Sequence, residues 1–105
     1  MENKFIIITK DNICFNINKD IIDKSGKLKR IIFEQSTNET IEIEIEGDIF
    51  IEILNIIKYE KEKEEYMEKI EMNKIYDIII GADYLEIEEI IKIGERIIKK
   101  IINEK

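Results

Sequence analysis

Residues 40–46 alternate without a break: Ile41, Ile43 and Ile45 interleave with Glu42, Glu44 and Glu46. Successive side chains of a strand point to opposite faces, so this segment buries one face and wets the other. Like charges crowd the wet face, which predicts open solvent or basic residues opposite it. Gly47 and Asp48 interrupt the alternation, and from Ile49 the period changes. Ile49, Phe50, Ile53, Leu54, Ile56 and Ile57 take helical spacings over a broad apolar face, the pattern of a helix laid on a sheet. Asp48 is suited to cap that helix and Tyr59 to end it.

The same change of period organises the rest of the chain. Residues 5–9 form an apolar run that reads as a strand. Lys10, Asp11 and Asn12 are turn-prone, and Ile13, Phe15 and Ile17 then alternate with Cys14, Asn16 and Asn18, which predicts a hairpin. Cys14 is out of phase with the apolar face and reads as a free cysteine buried against a second layer. Asn18 is a cap for a short helix over 19–23, with Asp20 in its first turn. Ser25 is a second cap, for a helix whose face is Leu28, Ile31 and Ile32, with Lys27, Lys29 and Arg30 outward. Ser36, Thr37 and Asn38 read as a loop.

Residues 60–71 hold six acids and three lysines and read as a solvent-facing segment. It is either a helical extension supported by pairs such as Lys61 with Glu65, or a mobile acidic loop. Asn73 is the cap expected for a helix carrying Ile75, Tyr76, Ile78, Ile79, Ile80 and Ala82. It is apolar on nearly all sides apart from Asp77, as a central buried helix would be, and Gly81 and Ala82 allow a close crossing. From Glu86 a helical pattern runs through Ile87, Ile90, Ile91, Ile93, Ile97, Ile98, Ile101 and Ile102. Gly94 either ends one helix there or bends a long one. Its charges turn from acidic to basic along the chain, which suits helix dipoles. No linker or repeat interrupts the order. The expectation is a single domain over 1–105, α/β or α+β, with a small three-stranded sheet capped by five or six helices.

The chain has 105 residues, 44% apolar and 39% charged, which fits one globular domain with a real core. Isoleucine supplies 30 residues against three leucines and no valine, and this reads as compositional bias that locates the core without indicating function. The net charge of -7 disfavours non-specific binding to nucleic acid or to an acidic membrane. There is no histidine, which excludes imidazole catalysis and histidine-ligated metals, and one cysteine excludes an internal disulfide. No apolar run is long enough to span a bilayer, and the N-terminus does not read as a signal peptide. A cytoplasmic or nuclear protein is expected.

The four glycines, at 26, 47, 81 and 94, form no phosphate-binding loop. The many carboxylates read as a solvated face, and the cluster Lys24, Lys27, Lys29 and Arg30 lacks the interleaved aromatics of a nucleic-acid site. No catalytic, cofactor-binding or metal-ligating residue is expected. The last thirty residues carry apolar side chains on more than one face. Either the fold buries them all, or a patch remains outside and marks a partner surface.

The run Ile78-Ile79-Ile80-Gly81-Ala82-Asp83-Tyr84-Leu85-Glu86-Ile87 resembles the Ala-Ala-Asn-Tyr-Leu-Asp-Ile stretch of the Skp1 and elongin C family, a branch of the BTB/POZ fold. The opening from Phe5 to Ile17 is similar to that family's first hairpin. Ser25-Gly26-Lys27-Leu28-Lys29-Arg30-Ile31-Ile32 is similar to its Ser-x-Thr-Ile-Lys-x-Met-Leu helix, and residues 41–57 to its short strand and following helix. The resemblance covers nearly the whole chain in order. Asn12 stands for the turn glycine, Asp83 for the asparagine before the Tyr-Leu pair and Gly81 for the first alanine, and the third strand's prolines are missing.

The resemblance implies a BTB/POZ-like domain that acts as an adaptor in a ubiquitin ligase. It links a cullin scaffold to a substrate receptor carrying an F-box or SOCS box, without catalysis and without a cofactor. The continuation past residue 88 is closer to Skp1, and residues 60–71 fall where Skp1 carries a charged variable loop. Carried over by position, Tyr84, Leu85, Ile87, Ile91 and Ile98 would face the receptor, and Ile49, Ile53 and Tyr59 the cullin. The alternatives are a self-associating BTB scaffold and a mimic that occupies a cullin or receptor. Phe5 opens the first strand almost at once, which leaves no room for the extra N-terminal segment of strong BTB homodimers, so any homodimer is expected to be weak.

Overall fold

The computed structural model describes residues 4–34, 40–59 and 62–103. The loop expected at Ser36, Thr37 and Asn38, and the Lys61 partner expected for Glu65, lie outside the described residues.

β1 (Lys4–Ile8) and β2 (Cys14–Asn18) form the hairpin, antiparallel, with Ile7 opposite Phe15 and Phe5 opposite Ile17. The turn closes because Asn12 adopts φ 65°, the left-handed region that asparagine tolerates. The Thr9 side chain accepts from the Ile13 amide at 3.1 Å. α1 (Lys19–Lys24) starts at Asn18, whose Oδ1 accepts from the Ile21 amide at 3.1 Å. α2 (Gly26–Glu34) starts at Ser25, whose Oγ accepts from the Leu28 amide at 3.1 Å. Both caps fall where the sequence puts them.

β3 (Thr40–Glu42) returns beside β1, parallel, which gives a mixed sheet ordered β2-β1-β3. The regular strand is shorter than residues 40–46. The Ile43 amide still donates to the Ile8 carbonyl at 2.9 Å, but the Lys10 amide next bonds the Ile45 carbonyl, also at 2.9 Å, so the ladder skips a step and the chain bends away. The alternation survives: Ile41, Ile43 and Ile45 are buried, and Glu42, Glu44 and Glu46 are exposed.

α3 (Gly47–Lys58) lies on the dry face, with Ile53 and Ile56 fully buried and Phe50 edge-to-face with Phe15 at 5.1 Å. Among the described residues, Asp48 accepts from the adjacent Ile49 amide at 2.9 Å. The helix-start amide of Gly47 is instead taken by Asp11, 36 residues earlier on the hairpin turn, at 2.9 Å. The Thr9 hydroxyl and then that amide hold the Asp11 carboxyl below its usual range.

α4 (Lys63–Glu68) settles residues 63–68 as helix. It is not purely solvent-facing, because Met67 and Lys63 are buried beneath its polar side. α5 (Met72–Leu85) begins earlier than Asn73 would have it, and no side chain caps it. α6 (Glu88–Asn103) runs unbroken through Gly94, so that glycine does not end a helix. It lets α5 approach: a Cβ there would meet Ile79 Cγ1 at 2.5 Å. Gly81 does the same for α3, where a Cβ would sit 3.1 Å from Ile53 Cδ1.

The core is one cluster of mostly isoleucine running from Ile7 to Ile97. Each fully buried isoleucine contributes about 1.5–3 kcal/mol from its area. The result is an α+β domain in which six helices pack around a three-stranded sheet among the described residues. Cys14 corrects one expectation. It is exposed on the outer face of β2, because the core lies on the side of Phe15 and Ile17.

Candidate partner-binding surface

α5 and α6 form a helical hairpin joined at Glu86 and Ile87. Glu86 closes α5 in a left-handed conformation, φ 61°, and the Ile87 amide bonds back to the Ala82 carbonyl at 2.9 Å. This C-terminus is also where α2 begins. The Ser25 hydroxyl donates to the Leu85 carbonyl, and the Gly26 amide donates to the Glu86 carbonyl at 3.2 Å. Orphan groups of two helix ends thereby satisfy each other. The fork of Arg30 grips both carboxylate oxygens of Glu86, with Nη1 to Oε1 at 2.9 Å. That bond holds the Glu86 carboxyl below its usual range and raises the Arg30 guanidinium.

α5 is not buried all round. With 3.6 residues per turn, Asn73, Tyr76, Ile80 and Asp83 share one side, and it faces solvent. Ile80 is 68% exposed and Tyr76 48%. On α6, Glu89, Arg96 and Lys100 form the row that meets α4, through Lys63 at 3.6 Å, Glu64 at 2.9 Å and Glu68 at 3.1 Å. Ile91, Ile98 and Ile102 form the opposite flank, and Ile102 is 63% exposed. The hairpin therefore leaves Tyr76 and Ile80 of α5 and Ile102 of α6 exposed.

The residues expected to meet a receptor divide into two groups. Tyr84, Ile91 and Ile98 are half-buried at the core's edge. Leu85 and Ile87 are buried among core residues. They point inward because the left-handed turn at Glu86 folds α6 back over them. Tyr84 is engaged within the domain: its hydroxyl accepts from the Glu44 amide at 3.2 Å, and the Lys27 ammonium lies 4.1 Å from its ring centre. Lys27 is accordingly half-buried rather than fully outward.

On the side expected to meet a cullin, Ile49 and Ile53 are likewise buried, between α3 and Gly81 of α5. Tyr59 is exposed and stacks on Tyr66 at 4.6 Å. Burial, followed by the hydrogen bond of its hydroxyl to Glu52, raises the Tyr66 phenol. Tyr76, Ile80 and Ile102 were not anticipated as surface residues. A signal existed: Asn73, Asp77 and Asp83 are polar positions on one side of α5, and Tyr76 and Ile80 fall among them.

Among the described residues, no group of three or more histidine, cysteine, aspartate or glutamate side chains is placed to hold a metal ion, and no helix is long and apolar enough to cross a membrane. No family model matches the chain, and no curated protein matches it.

Proposed function

We propose that this domain is a non-catalytic, Skp1-like adaptor of the BTB/POZ type that joins a cullin to an F-box or SOCS-box receptor. The observation that carries the reading is the outward display of apolar side chains on the α5–α6 hairpin, led by Ile80, Tyr76 and Ile102. Large side chains left exposed together on a rigid helical pair suit a helix-in-groove contact. The sheet order β2-β1-β3, with a helix pair between the hairpin and β3, is compatible with the resemblance read in the sequence.

Under this reading the receptor contacts the α5–α6 hairpin, with Tyr84, Ile91 and Ile98 at its margin. The cullin contacts the exposed end of α3 at Tyr59. Affinity purification from the native cell with mass spectrometry tests both halves. Recovery of a cullin together with a box-bearing receptor supports the adaptor. Recovery of a receptor without a cullin, or the reverse, points to a mimic. Recovery of neither, with light scattering showing a tight dimer at low micromolar concentration, replaces the adaptor with a self-associating scaffold.

A further inference from the structure

We propose that α4 is a strap that lifts from α6 as one unit while the rest of the domain stays folded, and that salt sets how often it does so. α4 spans six residues, Lys63–Glu68, and no side chain caps its start. That is less than two turns. A helix so short does not persist by itself in water, so α4 keeps its shape only while docked.

Two kinds of contact dock it. The first is a row of charge. Glu64 accepts from Arg96 Nη2 at 2.9 Å and lies 3.9 Å from the Lys100 ammonium. Glu68 accepts from the same ammonium at 3.1 Å, and Lys63 lies 3.6 Å from Glu89. The Arg96 and Lys100 side chains are each 59% exposed, so water and salt compete for their pairs. The second is a plug. Met67 is fully buried, and a Cβ built on Gly94 would lie 3.8 Å from its Cε and hard against Ile79. The methyl thus closes a notch between α5 and α6 at the point where glycine leaves room. Tyr66 adds a tether to α3, its hydroxyl donating to Glu52 at 2.9 Å.

The rest of the core is built without α4. Among the described residues, Met67 is the one member of the buried cluster that α4 supplies. Lifting α4 leaves α5 packed on α3 through Gly81 and joined to the start of α2 through Ser25. It also returns the Lys63 ammonium, 8% exposed at its side chain, to water, which offsets part of the lost contact. A short element with one buried apolar anchor and exposed ion pairs belongs to the part of a fold that opens first. The open state shows an apolar notch at Ile79 and Gly94 that the strap otherwise keeps shut.

Amide hydrogen exchange of the whole chain, followed by NMR, tests this. The Tyr66 and Ile70 amides bond to the Glu62 and Met67 carbonyls, both at 3.0 Å, and report on the strap. Their opening constants should be at least about tenfold larger than those of Ile78 in α5 and Ile93 in α6, with a weaker urea dependence. Raising salt from about 0.05 to about 0.5 M should increase strap opening at least about threefold and leave Ile78 within about twofold. Arg96→Glu combined with Lys100→Glu sets carboxylates against Glu64 and Glu68 and should increase strap opening at least about tenfold. Adding Glu64→Lys and Glu68→Lys should recover most of that change, which altered helix propensity alone would not do. Met67 gives a second readout. Hydrogen peroxide passes one oxygen atom to an accessible thioether, forming sulfoxide and water, and conversion of Met67 should rise in step with strap opening.

Opening constants at Tyr66 and Ile70 equal to that of Ile78, with the same urea dependence, would overturn the proposal, because α4 would then leave only with the whole fold. Strap opening indifferent to salt and to charge reversal would overturn it as well, because the ion pairs would then hold nothing. If the reversed variant fails to fold, the salt series on the parent chain decides. No partner enters any of these measurements, so the adaptor reading stands or falls separately.

Discussion

Replacing Ser25 by alanine should be among the most damaging single-oxygen deletions in this domain. Ser25 is 1% exposed, and its hydroxyl serves two helices at once. As acceptor it caps α2 through the Leu28 amide, and as donor it satisfies the Leu85 carbonyl at the end of α5. Losing a serine cap costs about 1 kcal/mol, range 0.5–2. Orphaning a buried carbonyl adds about 1–3 kcal/mol. The sum is about 2–4 kcal/mol. With a urea slope of about 1.5 kcal/mol/M, the denaturation midpoint should fall by roughly 1.3–2.7 M at unchanged slope. Ser25→Gly separates the two effects, because glycine caps within a few tenths of a kcal/mol of serine yet cannot donate to Leu85. It should therefore retain the larger part of the loss. A Ser25→Ala midpoint within about 0.5 M of the parent, or a Ser25→Gly variant as stable as the parent, would show that the bond between helix ends carries nothing.

Ile80→Glu should leave stability within about 0.5 kcal/mol, because the side chain is largely exposed, yet weaken a box-bearing receptor roughly thirtyfold; melts paired with titrations check both. Tyr84→Ala should lower both stability and receptor binding, since the ring is held by Lys27 and the hydroxyl by Glu44. Tyr84→Phe, which loses only the hydroxyl, should cost no more than about 1 kcal/mol in the same melts. Glu86 and Asp11 both have carboxyl pKa values lowered in the folded state, from ordinary values of 4.5 and 3.8. Their contribution is complete above those values and is lost as pH falls through the lowered ones, so urea midpoints should drop below about pH 4.5, less steeply in Arg30→Met. Gly94→Val should cost about 1–3 kcal/mol by driving its Cβ into Ile79, and Ile79→Ala should recover part of that loss in the double variant, read by chemical denaturation.

The period of the isoleucines located the elements because burial and spacing are local properties. Ile41, Ile43 and Ile45 face inward along the whole alternation even where the ladder opens, and the caps at Asn18 and Ser25 act over three residues. What was not legible depends on partners far along the chain. Asp48 looked like the cap of α3, but the carboxylate that bonds the helix start is Asp11. Gly94 looked like a break because glycine is a poor helix former, and its purpose is the close approach of Ile79.

The candidate surface followed the same rule. Composition indicated an apolar excess near the C-terminus but not which members the core would absorb. Leu85, Ile87, Ile49 and Ile53 are absorbed, while Tyr76 and Ile80 are not. Cys14 was misplaced because an edge strand has only one packed face, and period two alone does not say whether a second layer covers the other.

The two neighbours of β1 have different histories. β2 lies across a tight turn and pairs within microseconds, as hairpins do. β3 pairs in parallel with the same strand only after more than twenty intervening residues, including α1 and α2, have been drawn back. Asp11 belongs to the early hairpin, and the helix it caps belongs to the late arrival. In the folded domain that carboxylate holds the Thr9 hydroxyl and the Gly47 amide together, and so ties the local turn to the distant helix. If that loop closure paces folding, mutations at the β1–β3 seam should slow folding, whereas those on the α5–α6 hairpin should chiefly hasten unfolding.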